Sequence, residues 1–163
     1  MYAQTYPDLN VLHFDAHADI YDNFQNNTFS HASPFARLME VKQIAKLTQV
    51  GIRTLDSHQR QQIKKFDVDV IEMKDFNFDF IEKLMGPLYI SIDLDGLDPA
   101  FAPGVSHHEP GGLSTRDLIR CIQDITVPIV GADIVEYNPK RDINHMTAMV
   151  AYKLFKELAA KIL

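Results

Sequence analysis

Two apolar runs that each end in a row of acids constrain this 163-residue chain more than anything else in it: NVLHFDAHAD (10–19) and YISIDLDGLD (89–98). The first carries Asp15, His17 and Asp19 at spacings of two, and the second carries Asp93 and Asp95 in the same way. Residues two apart on an extended chain face the same side, so each run presents a row of ligand-type side chains. Carboxylates at short range repel one another strongly unless a cation lies among them. Five such residues predict a divalent-metal site for two ions, with at least one carboxylate bridging. To share metals, the two runs must be neighbouring strands.

Strand and helix patterns alternate around these runs. Strands are expected over 9–16, 47–53, 68–73, 88–95 and 127–136, and helices over 33–47, 56–66, 77–85, 114–125 and 146–163. Ser33 and Pro34 suit the cap and first position of the first helix, and Ser114 or Thr115 suits the cap of the fourth. The loop 96–112 is dense in Pro and Gly, with Asp98–Pro99 and Gly111–Gly112 shaping it. The expectation is one α/β domain over 1–163, a three-layer α/β/α arrangement around a parallel sheet of about five strands. Strands apolar on both sides, such as PIVGADIV, fit a sheet covered on both faces. Ligands of such sheets lie beyond the carboxyl ends of the strands, where the strand order reverses. This predicts the order 5-4-1-2-3, with the site between the first and fourth strands.

Composition narrows the function classes. The net charge is −6 and no Lys/Arg cluster forms a stripe, which argues against nucleic acid as a partner and suits a cationic small molecule. No apolar run is long enough to span a membrane, and MYAQTYPDLN lacks a basic region followed by an apolar one. The single cysteine, Cys121, is expected to be a buried helix residue, and a cytoplasmic setting is the default. Hard oxygen donors with one imidazole favour Mn²⁺ over a thiolate-type zinc site. A metal pair can lower the pKa of water and orient the hydroxide, so metal-assisted hydrolysis is the expected chemistry. His13 shares the parity of the ligands one step deeper and is expected to be a hydrogen-bonded core residue. Arg53 is expected in a structural ion pair at the end of the second strand, and His58 and His145 on the surface. Asp133 is expected to support Glu136 or His31, or the fold alone.

At these residues the sequence resembles the ureohydrolase family of arginases, agmatinases and their relatives. DAHAD (15–19) and SIDLDGLDPAFAPG (91–104) are similar to that family's two metal signatures. HEPGGLS (108–114) and GADIVEYNPKRD (131–142) continue the similarity, and SHASPFARLME and GVSHHEPGGLS look most like the plant-type arginase/agmatinase branch. The resemblance implies two Mn²⁺ ions at the carboxyl edge of a parallel sheet and release of urea from a guanidinium group. It implies that Asp15 and Asp93 bridge the ions, that His17 and Asp95 complete one shell, and that Asp19 binds the other ion and belongs to the catalytic set. It further implies His31 as proton carrier and Glu136 as partner of the guanidinium. A planar guanidinium is matched by a bidentate carboxylate, and a departing amine by a histidine near neutral pH. Asn23 and His107 are expected to touch substrate beside them.

The same resemblance implies an upstream Gly-Gly-Asp-His histidine and further amino-terminal strands, which this sequence lacks. One metal is therefore expected to bind weakly or not at all in this chain. The fifth strand is expected to expose an edge that drives homo-oligomer formation unless the amino terminus covers it. Agmatine is the leading substrate expectation, because the Asn-rich loop 20–30 has no clear carboxylate-binding pattern. Arginine or another guanidino or formimino compound is the alternative, and a catalytically impaired short homologue is the competing one.

Overall fold

The computed structural model describes residues 2–163. The elements run α1 (Tyr2–Thr5), β1 (Leu9–Phe14), α2 (Pro34–Met39), β2 (Ile44–Ile52), α3 (Ser57–Phe66), β3 (Asp69–Glu72), β4 (Leu88–Asp93), α4 (Thr115–Asp124), β5 (Ile129–Val135) and α5 (Met146–Ile162). The five strands form one sheet in the order β3-β2-β1-β4-β5, and every pairing is parallel. This is the expected order, and it places the ends of β1 and β4 side by side. No helix among the described residues is long and apolar enough to cross a membrane.

Strand parity divides the core into two layers. Leu12, Phe14, Leu88, Ile90 and Ile92 point to one face, where α4 and α5 cover them with Leu118, Ile122, Leu154 and Leu158. Val11, Leu47 and Ile52 belong to the opposite face, under Ala3 of α1, Phe35 and Ala36 of α2, and Ile63 of α3. Cys121 is buried in α4, as expected.

Three local expectations need correction. The first full helix ends at Met39 rather than 47, and β2 begins at Ile44. Val41, Ile44 and Leu47 mimic a helical repeat, but pairing with β1 overrides it: Ile44 lies opposite Leu9 and Leu47 opposite Val11. Ser33 stands at the start of α2 without capping it, and its hydroxyl is buried with no hydrogen-bond partner. The expected helix 77–85 reduces to a single 3₁₀ turn, Ile81–Lys83. Asn77 accepts from Asp79 N at 2.8 Å and donates to Asp75 O at 3.2 Å, so local side-chain bonds compete with the helix.

The loop 97–112 is fastened to α5. Thr147 Oγ1 accepts from Gly104 N at 2.7 Å, while Asp142 accepts from Thr147 N at 2.9 Å and Ala148 N at 3.0 Å, completing the helix start. At the far edge of the sheet the Tyr2 ring lies so close over Gly131 that a Cβ there would meet it at 2.7 Å.

Candidate metal centre

The two acidic runs reach their geometry by the same device. Asp15 follows the last residue of β1, and its Oδ1 accepts from His17 N at 2.7 Å. Asp93 ends β4, and its Oδ1 accepts from Asp95 N at 2.9 Å. Each leading carboxylate thus folds the chain two residues on into an Asx turn. The expected extended parity carries only the leading residues; Asp95 sits in a 3₁₀ turn, Leu94–Gly96. The turns lock together where Ala16 N donates to Asp95 Oδ1 at 3.2 Å. Gly96 lies on the backbone of Asp15, where a Cβ would come within 2.9 Å of Asp15 N.

The result brings Asp15, His17 and Asp95 together with one ligand atom from each within 4.8 Å of the others. His17 Nδ1 is 3.3 Å from Asp15 Oδ1 and 3.2 Å from Asp95 Oδ2. Asp15 is buried, and its Oδ2 lies 3.0 Å from His13 Nε2 but makes no hydrogen bond of acceptable direction. A buried carboxylate oxygen without a directed donor is costly in a closed fold, and it fits a ligand to a cation. His13 is the expected core histidine, with Gln49 Nε2 at 3.0 Å from its Nδ1 and the Phe35 ring at 3.9 Å.

The electrostatics point the same way. Burial, and then the charge of Asp15, pushes Asp93 up to about 10 from an ordinary 3.8. Burial and Asp15 likewise push Asp19 up to about 8. Asp95 is raised mainly by burial. Burial would lower His17, but its hydrogen bonds to Asp15 and Asp95 outweigh that and lift it to about 11. Burial would raise Asp15, but His13 and His17 together hold it well below the usual carboxylate range. Without a cation this cluster must keep protons on some of its acids, and a divalent ion removes that need.

Asp19 and Asp93 stand outside the close triad but line the same cavity of about 420 Å³, together with His17, Asp95, His31 and Glu136. His107 lies between the two other histidines, its ring centroid 6.0 Å from that of His17 and 6.4 Å from that of His31. Asn23 is exposed and is not among the lining residues; Phe24 and Tyr21 of the same loop are. A second cavity of about 740 Å³ meets the first at Asp19, His31, Asp93 and Glu136 and runs along the sheet under α1 and α2. Two acids at the meeting point hold left-handed backbone, Asp19 at φ 44 and Glu136 at φ 62.

Several neighbours were not legible in advance. Arg53 makes carbonyl hydrogen bonds rather than the expected ion pair, bonding Asp95 O at 2.8 Å and Glu109 O at 2.6 Å. Glu109 itself reaches the centre, with Oε1 3.8 Å from His17 Nε2. Asp133, by contrast, takes the structural one of its two expected roles, accepting from Tyr89 Oη at 2.9 Å and Ser91 Oγ at 2.7 Å. His58 is half-buried rather than on the surface, stacked on Tyr21 and accepting from Asp22 N at 3.2 Å. Their signal in the sequence is weak, because each acts through backbone or packing partners remote along the chain.

A sequence model described as the Arginase family matches residues 1–160. "Arginase 1, mitochondrial" of Arabidopsis thaliana is 53% identical over 162 residues, covering 94% of this chain and 47% of that protein. "Agmatinase" of Bacillus cereus is 32% identical over 167 residues, covering 96% of this chain and 56% of that protein. The solved "Arginase from Medicago truncatula" is similar with a TM-score of 0.87 at 50% identity, covering 94% of this chain and 51% of that one. The chain spans about half the length of the curated relatives it matches.

Proposed function

The chain belongs to the arginase family, and from that premise we propose that it carries the metal centre of a manganese-dependent ureohydrolase that converts L-arginine to ornithine and urea. In this reading Asp15, His17 and Asp95 would hold one ion, and Asp19 and Asp93, which line the same cavity, would help to hold a second. Bound there, the metal pair supplies Lewis acidity that makes water a nucleophile at neutral pH. Glu136 stands where the two cavities meet, and its carboxylate accepts the paired N–H donors of a guanidinium. His31, across the same mouth, would relay a proton from solvent to the departing amine, taking one up on one ring nitrogen as it gives one from the other. His107, between His17 and His31, forms the wall against which the guanidinium lies.

The observation that carries the proposal is the convergence of Asp15, His17 and Asp95 at the carboxyl edge between β1 and β4, with a buried Asp15 oxygen left undirected. Arginine is preferred to agmatine because similarity is higher to the arginases than to the agmatinase. One observation favours agmatine as a second reading: among the described residues, no lysine or arginine lines the smaller cavity to take an α-carboxylate.

Urea release by the Mn²⁺-loaded chain decides between them. Arginine is expected to release urea faster than agmatine, in line with the higher similarity to arginases. The reverse ratio establishes the second reading, and no urea from either substrate sinks both. Titration with Mn²⁺ in the same preparation is expected to resolve a tight first equivalent and a weaker second one, because the second ion has carboxylate donors only. Two equally tight equivalents would contradict that ligand assignment.

A further inference from the structure

Arg53, just past the end of β2, spends its whole guanidinium on backbone. Its six hydrogen bonds go to five carbonyls: Gly51, Asp95, Gly96, Leu97 and Glu109. Three of these belong to the turn that carries Asp95 and its exit. Glu109 is held twice, by Nε at 2.8 Å and by Nη2 at 2.6 Å. The fit leaves no slack on the loop side, because a Cβ on Gly112 would come within 2.6 Å of Arg53 Nη2. Nor is there slack on the turn side, where Gly96 presses on Asp15. A half-buried guanidinium is expensive to desolvate, and only its planar fork of five N–H donors can serve several carbonyls at once.

Both residues that this fork touches most closely face the candidate ligands. Asp95 supplies a carboxylate to the triad, and Glu109 places Oε1 3.8 Å from the far nitrogen of His17. The near nitrogen of that ring faces Asp15 and Asp95. We infer that Arg53 is a positioning residue of the metal centre, fixing Asp95 through its turn and the His17 ring through Glu109. The inference rests on reading Asp15, His17 and Asp95 as metal ligands. Groups that orient ligands in this way commonly govern metal affinity as strongly as they govern the local fold.

The test is a Mn²⁺ titration of the full chain, followed by the electron paramagnetic resonance signal of free Mn²⁺, with metal-free melting measured alongside. Arg53→Lys keeps the charge but loses the fork, and its Mn²⁺ affinity is expected to fall about tenfold or more. Glu109→Gln is expected to lose less, and the double variant less than the product of the two single losses, because both act through His17. A lower metal-free melting temperature with Mn²⁺ affinity within twofold of the parent makes Arg53 a purely structural cross-link and overturns the inference. Should Arg53→Lys fail to fold, Glu109→Gln decides alone, since it leaves the carbonyl clamp in place; unchanged affinity there overturns the inference too. An unaltered chain that binds no Mn²⁺ removes the metal reading itself, and the inference with it.

Discussion

The two faces of the sheet are built from the same strands and do opposite work. In β4, Leu88, Ile90 and Ile92 are fully buried beneath α4 and α5, while Tyr89, Ser91 and Asp93 line a cavity on the other side. In β1, Leu12 and Phe14 join the apolar layer, and Val11 and His13 line the same cavity as the β4 residues. In these two strands one parity is buried in the apolar layer, and the other carries the polar groups toward the site. The difference teaches that the stability of the apolar layer and the crowding of the acids sit on opposite sides of the same strands. Substitutions on the two faces should therefore separate stability from function.

The largest separation is expected at Asp93. Asp93→Asn removes a proposed metal ligand, and urea release should fall by more than about a hundredfold, beyond the usual loss for an outer-shell group. The metal-free protein should melt at the same temperature or higher, because Asn imitates the protonated acid that burial and Asp15 already favour. Activity kept at the parent level, or a clear drop in metal-free melting temperature, would break the division between the faces.

Ile90→Ala is the mirror experiment. Ile90 is 0% exposed in the apolar layer, and truncation there should cost about 2–5 kcal/mol, from lost burial and the cavity left behind. For a chain of this size that lowers the melting temperature by roughly 5–15 °C. Below the transition, Mn²⁺ affinity should match the parent. A weakened metal site in folded Ile90→Ala would mean that the two layers are coupled.

Much of this division is legible in the sequence, and the exceptions have physical causes. The spacing of Asp15, His17, Asp93 and Asp95 predicts the site, and the need to bring those residues together predicts the strand order. Leu12, Phe14, Ile90 and Ile92 read as apolar by parity alone. What fails to show is whatever depends on partners remote in sequence. The helical spacing of α2 runs on through Val41 and Ile44, but pairing with Leu9 claims Ile44 for β2. Arg53 looks like half of an ion pair because carbonyls leave no trace in a sequence. Asp95 looks like a strand residue because its Asx turn copies strand spacing. The expected acids and histidines thus meet at one end of the sheet, while the turns and carbonyl clamps that set their geometry leave no mark in their spacing.

Metal removal sharpens the comparison across pH. Asp19 and Asp93 are raised in the fold to about 8 and about 10 from an ordinary 3.8. The folded chain then holds these protons more tightly than the unfolded chain does, so their contribution is complete below about pH 4 and is lost as pH rises through those values. His17, raised from 6.5 to about 11, acts in the same direction over a higher window. Asp15, held low, contributes in full across the neutral range and loses its share only in acid. The metal-free chain should therefore melt at a lower temperature at pH 9 than at pH 6, and Mn²⁺ should raise melting more at pH 9. Equal stabilisation by Mn²⁺ at both pH values would mean that the polar face carries less charge repulsion than its burial implies.

The smallest stability effect is expected at Glu136, where the polar face leaves the sheet. Its left-handed backbone, φ 62, costs a non-glycine residue roughly 1–2 kcal/mol. Glycine removes that strain but adds about 0.5–1 kcal/mol of unfolded-state entropy, and the exposed side chain has little packing to lose. Asp19 shares the conformation at φ 44, but aspartate accepts it more readily than glutamate does. Glu136→Gly should thus raise the melting temperature by a degree or two, while the KM for arginine rises because the guanidinium loses its carboxylate. A scanning melt with a parallel arginine saturation curve reads both effects. If the variant melts lower than the parent, Glu136 is held by contacts that favour the fold, and the backbone at the mouth of the site is not strained for the sake of substrate.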